Sequence, residues 1–263
     1  MKTGPSPALL DLCSIRVMRG QNVVLDDLTL RIHPGEHVVI LGPNGCGKST
    51  LVKTITRECY PVVRDGSSMT ILGKDRWNLP ELRSLLGIVA NDLISASIAG
   101  VTARELVLSS FFSSLRIFPH HRVTTDQEAA VASALARLQI AHLAGRPVGE
   151  LSSGEARRVV IARALVHQPK TLLFDEPSNS LDFYARHSLR ETMSGLARSG
   201  IGIVLVTHDL ADIIPEIERV VLMAKGRVAA DGSKQEMLQP QRLSALFGTP
   251  VEIAGKDGYY HLW

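Results

Sequence analysis

Long apolar runs are missing from the 263 residues: uncharged stretches such as Ser199 to His208 stop well short of the ~20 residues a helix needs to cross a bilayer. The opening MKTGPSPALL has one lysine and no apolar segment of signal-peptide length. These two absences point to a cytoplasmic chain, any membrane role being borrowed from another subunit. Cysteine is scarce, and Cys13, Cys46 and Cys59 fall in no metal-ligand spacing, which fits a reducing compartment. An excess of one charge is also lacking: 29 Lys and Arg against 26 Asp and Glu leave +3, too little to argue for nucleic acid. No internal repeat, low-complexity segment or heptad run is present. What remains is an ordinary globular composition, 45% hydrophobic and 21% charged. A chain of this length can bury roughly 70–75% of its unfolded surface.

Apolar patterning divides the chain into an antiparallel opening and an α/β remainder. Leu10 to Val17 and Val23 to Ile32 read as strands around a turn, and Pro34-Gly35 then breaks the chain. His37 to Leu41 is a short strand, followed by a glycine-rich loop and a helix from Lys48 to about Glu58. Further strands are expected at Met69–Leu72 and Gly87–Ala90, with a helix near Pro80–Leu86 between them. Thr102 with Glu105, and Thr125 with Glu128, have capping-box spacing and predict two helices of an inserted subdomain. Strands return at Thr171–Phe174 and Ile201–Val206 around a helix over Phe183–Arg198. Arg219–Met223 and Arg227–Ala229 flank Lys225-Gly226 as a hairpin.

The strongest chemical signal is Gly42-Pro43-Asn44-Gly45-Cys46-Gly47-Lys48-Ser49, with Thr50 extending the set of phosphate contacts. This is a complete G-x-x-x-x-G-K-S loop between a strand and a helix. The glycines let backbone N–H groups turn inward, and the helix N-terminus adds positive potential where phosphates would lie. Lys48 is placed to reach the β- and γ-phosphates and Ser49 to ligate Mg²⁺. A second signal is the apolar strand ending in Asp175-Glu176. Asp175 suits Mg²⁺, held through water, and Glu176 suits the water that attacks a γ-phosphate.

Between these motifs, Leu151-Ser152-Ser153-Gly154-Glu155 resembles the signature sequence of the ATP-binding cassette (ABC) ATPases, although Ser152 and Glu155 also satisfy a plain capping box. Ser178-Asn179-Ser180-Leu181-Asp182 resembles that family's D-loop, and Val206-Thr207-His208-Asp209 its switch-histidine strand end. The resemblance covers about Leu9 to Leu246. The segments Pro80-Glu81-Leu82-Arg83 to Val89, Glu105 to Phe112 and Val206 to Asp209 are similar to stand-alone bacterial cassettes of the molybdate-related ModF and YlmA kind.

The resemblance implies one ABC domain over residues 1–263: a P-loop NTPase core with an N-terminal antiparallel β subdomain, an inserted helical signature subdomain over about 92–167, and a C-terminal extension over about 240–263. It implies Mg-ATP hydrolysed at a two-chain interface, where Ser152, Ser153, Gly154 and Glu155 of one cassette close on the γ-phosphate held by the other. Asp182 would cross the same interface, and His208 would join Lys48 and Glu176 in the catalytic set. A second cassette, by default a second copy of this chain, is the implied partner.

Two kinds of work fit such a cycle. One is that of the ATPase subunit of a membrane transporter, peripheral on the cytosolic face through separate transmembrane subunits. The other is that of a soluble cassette, regulatory or serving assembly as in iron–sulfur scaffold systems. Tandem-cassette translation factors need two P-loops, and chromosome-maintenance ATPases need a long coiled coil; neither feature is present.

Four positions in three places, Met18 with Arg19, Cys46 and Asn91, depart from the family pattern. Met18 and Arg19 stand where an aromatic residue stacks the adenine, so weak discrimination between ATP and GTP is expected, with Arg19 offering a cation–π contact at most. Cys46 lies in the phosphate loop, either as a reactive thiol or as a small filler. Asn91 stands where the family has a glutamine that reaches Mg²⁺ and the attacking water, and it is one methylene shorter. Slow basal turnover is the expected consequence, unless Asn91 only caps a turn.

Overall fold

The computed structural model describes residues 7–90 and 98–262. Along the chain, β1 (Leu10–Arg19) and β2 (Asn22–Ile32) precede β3 (His37–Leu41) and α1 (Lys48–Ile55). Then follow β4 (Ser68–Ile71), α2 (Leu79–Leu85), β5 (Leu86–Ala90), α3 (Ala103–Leu108), α4 (Thr125–Arg137) and α5 (Ser153–Leu165). The second half holds β6 (Thr171–Asp175), α6 (Phe183–Arg198), β7 (Gly202–Thr207), β8 (Arg219–Ala224) and β9 (Arg227–Ser233). It closes with α7 (Lys234–Met237), α8 (Pro240–Phe247), β10 (Ile253–Lys256) and β11 (Tyr259–Leu262).

The chain folds as two compact units, one of Met1–Leu82 with Gly202–Trp263 and one of Arg83–Ile201. In the first, β1 is the centre of a three-stranded antiparallel sheet between β2 and β4. A second sheet sets β3 parallel to both β7 and β8, with β9 antiparallel at the edge. Val38, Val39, Ile40 and Leu41 are all fully buried, as expected for a strand covered on both faces, whereas β9 alternates between exposed and half-buried residues. The turn between β8 and β9 places Lys225 at φ 48° and Gly226 at φ 75°, the paired left-handed geometry of a tight hairpin.

In the second unit β5 and β6 pair in parallel, with Ala90 opposite Asp175. The helices α3, α4 and α5 pack on one another, and α5 also packs on α6 and β5. The Thr102–Glu105 capping box forms as expected. The second box is one residue earlier than its spacing suggests: Thr124 caps α4 reciprocally with Gln127. The Glu128 carboxylate pairs instead with Arg104 of α3.

Candidate functional site

In the first unit, the phosphate loop leaves β3 through a position that only glycine can occupy. A Cβ at Gly42 would lie 2.3 Å from the Met223 carbonyl oxygen of β8 and 2.8 Å from the Cys46 sulfur. Gly47, at φ 108°, opens α1 without a side-chain cap among the described residues, the kind of helix start that suits a phosphate. The Lys48 ammonium folds back over the loop, donating to the carbonyls of Gly42 at 2.7 Å and Pro43 at 3.1 Å. It is 5% exposed. Asn44, Gly45 and Ser49 are exposed and Thr50 is buried, so the hydroxyl facing solvent on the first turn is that of Ser49.

Cys46 is buried, its N–H donating to Pro43 O at 3.3 Å and its carbonyl accepting from Gly226 N–H at 2.8 Å. Its sulfur packs beside Gly42. Met18 and Arg19 are both exposed at the end of β1, beside the Gly20-Gln21 turn.

His208 is brought to the loop by strand register. β3 and β7 run parallel with Leu41 opposite Thr207, and the Gly42 N–H donates to Thr207 O at 3.3 Å. Gly42 and His208 therefore leave neighbouring strands at the same carboxyl edge, where ligands of α/β sheets bind. The half-buried His208 opens a tight turn in which the buried Thr207 hydroxyl donates to Asp212 at 2.8 Å and accepts from the Asp209 N–H at 3.1 Å. Asp209 in turn accepts from the Ala211 N–H at 2.9 Å. Asp212 has no signal in the sequence, since an aspartate three residues beyond the Val206–Asp209 motif carries no distinctive spacing.

In the second unit, β6 delivers Asp175 as its last residue and Glu176 just beyond. Glu176 takes φ 45°, a strained conformation for a residue with a side chain and one common at functional turns. Its carbonyl accepts from Asn179 N–H at 3.2 Å, which starts the turn leading to Asp182. The Asp182 carboxylate caps α6 by accepting from Ala185 N–H at 2.7 Å.

The signature segment starts α5 with a complete capping box. Glu155 N–H donates to the Ser152 hydroxyl at 3.3 Å, and the Glu155 carboxylate accepts from the Ser152 N–H and hydroxyl, both at 2.8 Å. Those bonds, the backbone one foremost, hold the Glu155 carboxyl below its ordinary range. Ser153 stays exposed, and Gly154 lies close to α6, where an added Cβ would meet that of Ala185 at 3.2 Å. Asn91 lies outside the described residues.

A strand, a glycine loop with its lysine folded over it, and a helix with an open N-terminus define a P-loop nucleotide-binding protein. The ABC transporter family matches residues 25–179, more than half of the chain. The chain is 31% identical to the spermidine/putrescine import ATP-binding protein PotA of Haemophilus influenzae over 88% of its own length. It spans 59% of that relative's length. It is also 31% identical to YlmA of Bacillus subtilis, an uncharacterized ABC transporter ATP-binding protein, over 93% of both chains. Among solved structures, CbiO1 of Clostridium perfringens, part of the ABC transporter complex CbiONQ, matches with a TM-score of 0.74 and 26% identity, covering 91% of this chain and 94% of that one. This chain belongs to the ABC transporter family and is one of its ATP-binding cassettes. No helix among the described residues is long and apolar enough to cross a membrane.

Proposed function

We propose that the chain binds Mg-ATP and hydrolyses it together with a second cassette, energising transport through separate membrane subunits from the cytosolic face. The observation that carries this reading is the phosphate loop: Gly42 pressed on β8, Lys48 laid over the loop carbonyls, and α1 opening without a side-chain cap. In the nucleotide complex, Lys48 would exchange those carbonyls for phosphate oxygens, and the N–H groups of residues 45–50 would take the rest. Ser49 would ligate a Mg²⁺ ion and Asp175 would hold it through water; the ion would supply positive charge against the phosphates. Glu176 would orient the attacking water, and His208 would hydrogen-bond the γ-phosphate.

Phosphoryl transfer asks mainly for such fixed charges and donors, since bond-breaking runs ahead of bond-making at phosphorus. Ser153 and Gly154 of the second chain would complete each site, so ATP would stabilise the closed pair and hydrolysis release it. The import role in PotA's name and the membership of CbiO1 in a transporter complex support the transport reading.

Two variants separate binding from chemistry. Lys48→Ala is expected to lose fluorescent-ATP binding by roughly 100-fold, about 2.7 kcal/mol. Glu176→Gln is expected to bind ATP as the wild type does while releasing no phosphate. Wild-type affinity in Lys48→Ala would refute this site.

A further inference from the structure

The segment following His208 is tied to the far C-terminal end of the chain, and the tie runs through one lysine. The Lys234 ammonium donates to the carbonyls of Ile214 and Pro215, each at 3.1 Å, and reaches that of Gly258 at 3.5 Å. The first two carbonyls belong to the segment that leaves the His208 turn; the third is the turn of the β10–β11 hairpin. The Tyr260 ring of β11 faces the same ammonium at 5.7 Å. Burial pushes Lys234 below the ordinary lysine range, against the opposing pull of Glu216 and Glu218. A half-buried ammonium facing carbonyl dipoles and a ring face is a fastening, and α7 sets its base, Lys234 being the first residue after the Ser233 cap.

The hairpin also makes direct contact. β11 packs on the short helical turn Leu210–Asp212, the turn whose Asp212 holds Thr207 and, through it, the Asp209 N–H. Gly258, at φ 80°, lies so close to Pro215 that an added Cβ would stand 3.0 Å from the proline Cβ. Ile213, Ile214 and Ile217 of the intervening segment are fully buried, so it has little freedom to take up a displacement on its own.

We propose that Lys234 and the β10–β11 hairpin form a clamp that positions His208, holding the residue 209–217 segment so that the imidazole is presented to the γ-phosphate in one fixed place. Lys234 and Gly258 are positioning residues, and neither touches the nucleotide. The inference rests on the catalytic role given to His208 above. It makes the C-terminal extension part of the hydrolytic apparatus, and any partner that lifted the hairpin would slow hydrolysis while leaving nucleotide bound.

The test uses the full-length chain carrying Lys234→Met, which keeps the stem and removes the charge, and separately Gly258→Val, which displaces the hairpin with the lysine intact. His208→Ala serves as reference. Each clamp variant is expected to lower kcat roughly tenfold, with KM and fluorescent-ATP affinity within about twofold of wild type, because a misplaced group acts on the transition state. Amide hydrogen exchange should quicken over residues 209–217 and stay unchanged over residues 42–50.

Unchanged exchange in both variants would overturn the clamp. Quickened exchange with wild-type kcat would overturn its link to catalysis, and exchange quickened over both segments would reduce it to a general scaffold. If His208→Ala kept full turnover while the 209–217 segment loosened in the clamp variants, the role given to His208 would fall and the clamp itself would stand.

Discussion

The two helix starts that carry the nucleotide motifs are built in opposite ways. α1 begins at Gly47 in a left-handed conformation with no side-chain cap among the described residues, whereas α5 begins under a complete Ser152–Glu155 capping box. An uncapped N-terminus is a standing cost unless a ligand fills it, so the first is shaped for phosphate even before phosphate arrives. The second is satisfied by its own chain and stable as it stands. In the proposed two-chain site it would offer the second molecule the remainder: the exposed Ser153, the N–H groups beyond the cap, and a glycine that lies close to α6.

The glycines of the two regions give the sharpest break of that comparison. Gly42→Val should abolish detectable ATP binding, a loss above roughly 100-fold, because the new Cβ meets a strand carbonyl that cannot move aside. Gly154→Ala meets only a methyl group at 3.2 Å and should fold with a stability loss of about 1 kcal/mol or less. Its ATP affinity as an isolated chain should be that of the wild type, while turnover falls by roughly tenfold or more. Titration with a fluorescent ATP analogue and a phosphate-release assay check both variants, and equal behaviour would erase the distinction drawn here.

A smaller effect sharpens the second helix start. Ser152→Ala removes the cap and should lower stability by about 1 kcal/mol at neutral pH, read by thermal unfolding. Because the folded Glu155 carboxyl lies below its unfolded value, the stabilisation is present above the unfolded pKa and is lost as pH falls through the folded one. The gap between wild type and Ser152→Ala should therefore narrow at acid pH. A constant gap would mean that the cap does not depend on the carboxylate charge.

The sequence made the phosphate loop legible because its chemistry is local: three glycines, a lysine and a serine at fixed spacing need no tertiary information. The hairpin at Lys225-Gly226 was legible for the same reason, both residues adopting the left-handed geometry their types suggest. Asp257-Gly258 carries the same turn chemistry, at φ 52° and 80°, yet the hairpin it joins went unread. Its first strand includes Ala254, Gly255 and Lys256, weak strand formers, and its fastening comes from Lys234, more than twenty residues earlier. Asp182 shows the converse: family resemblance assigns it to an interface, and the fold gives it a helix to cap. Strand register could not be read either, and it is register that sets His208 beside the phosphate loop.

In the proposed site one chain would offer an open helix start and a second chain would bring a satisfied one to close it. The mass of the Glu176→Gln variant in solution, measured under saturating Mg-ATP and again without nucleotide, tests this most directly. The expected species has two chains and two ATP molecules, forms only with nucleotide and dissociates when Mg²⁺ and ATP are removed. A variant that stays a single chain with ATP fully bound would contradict it.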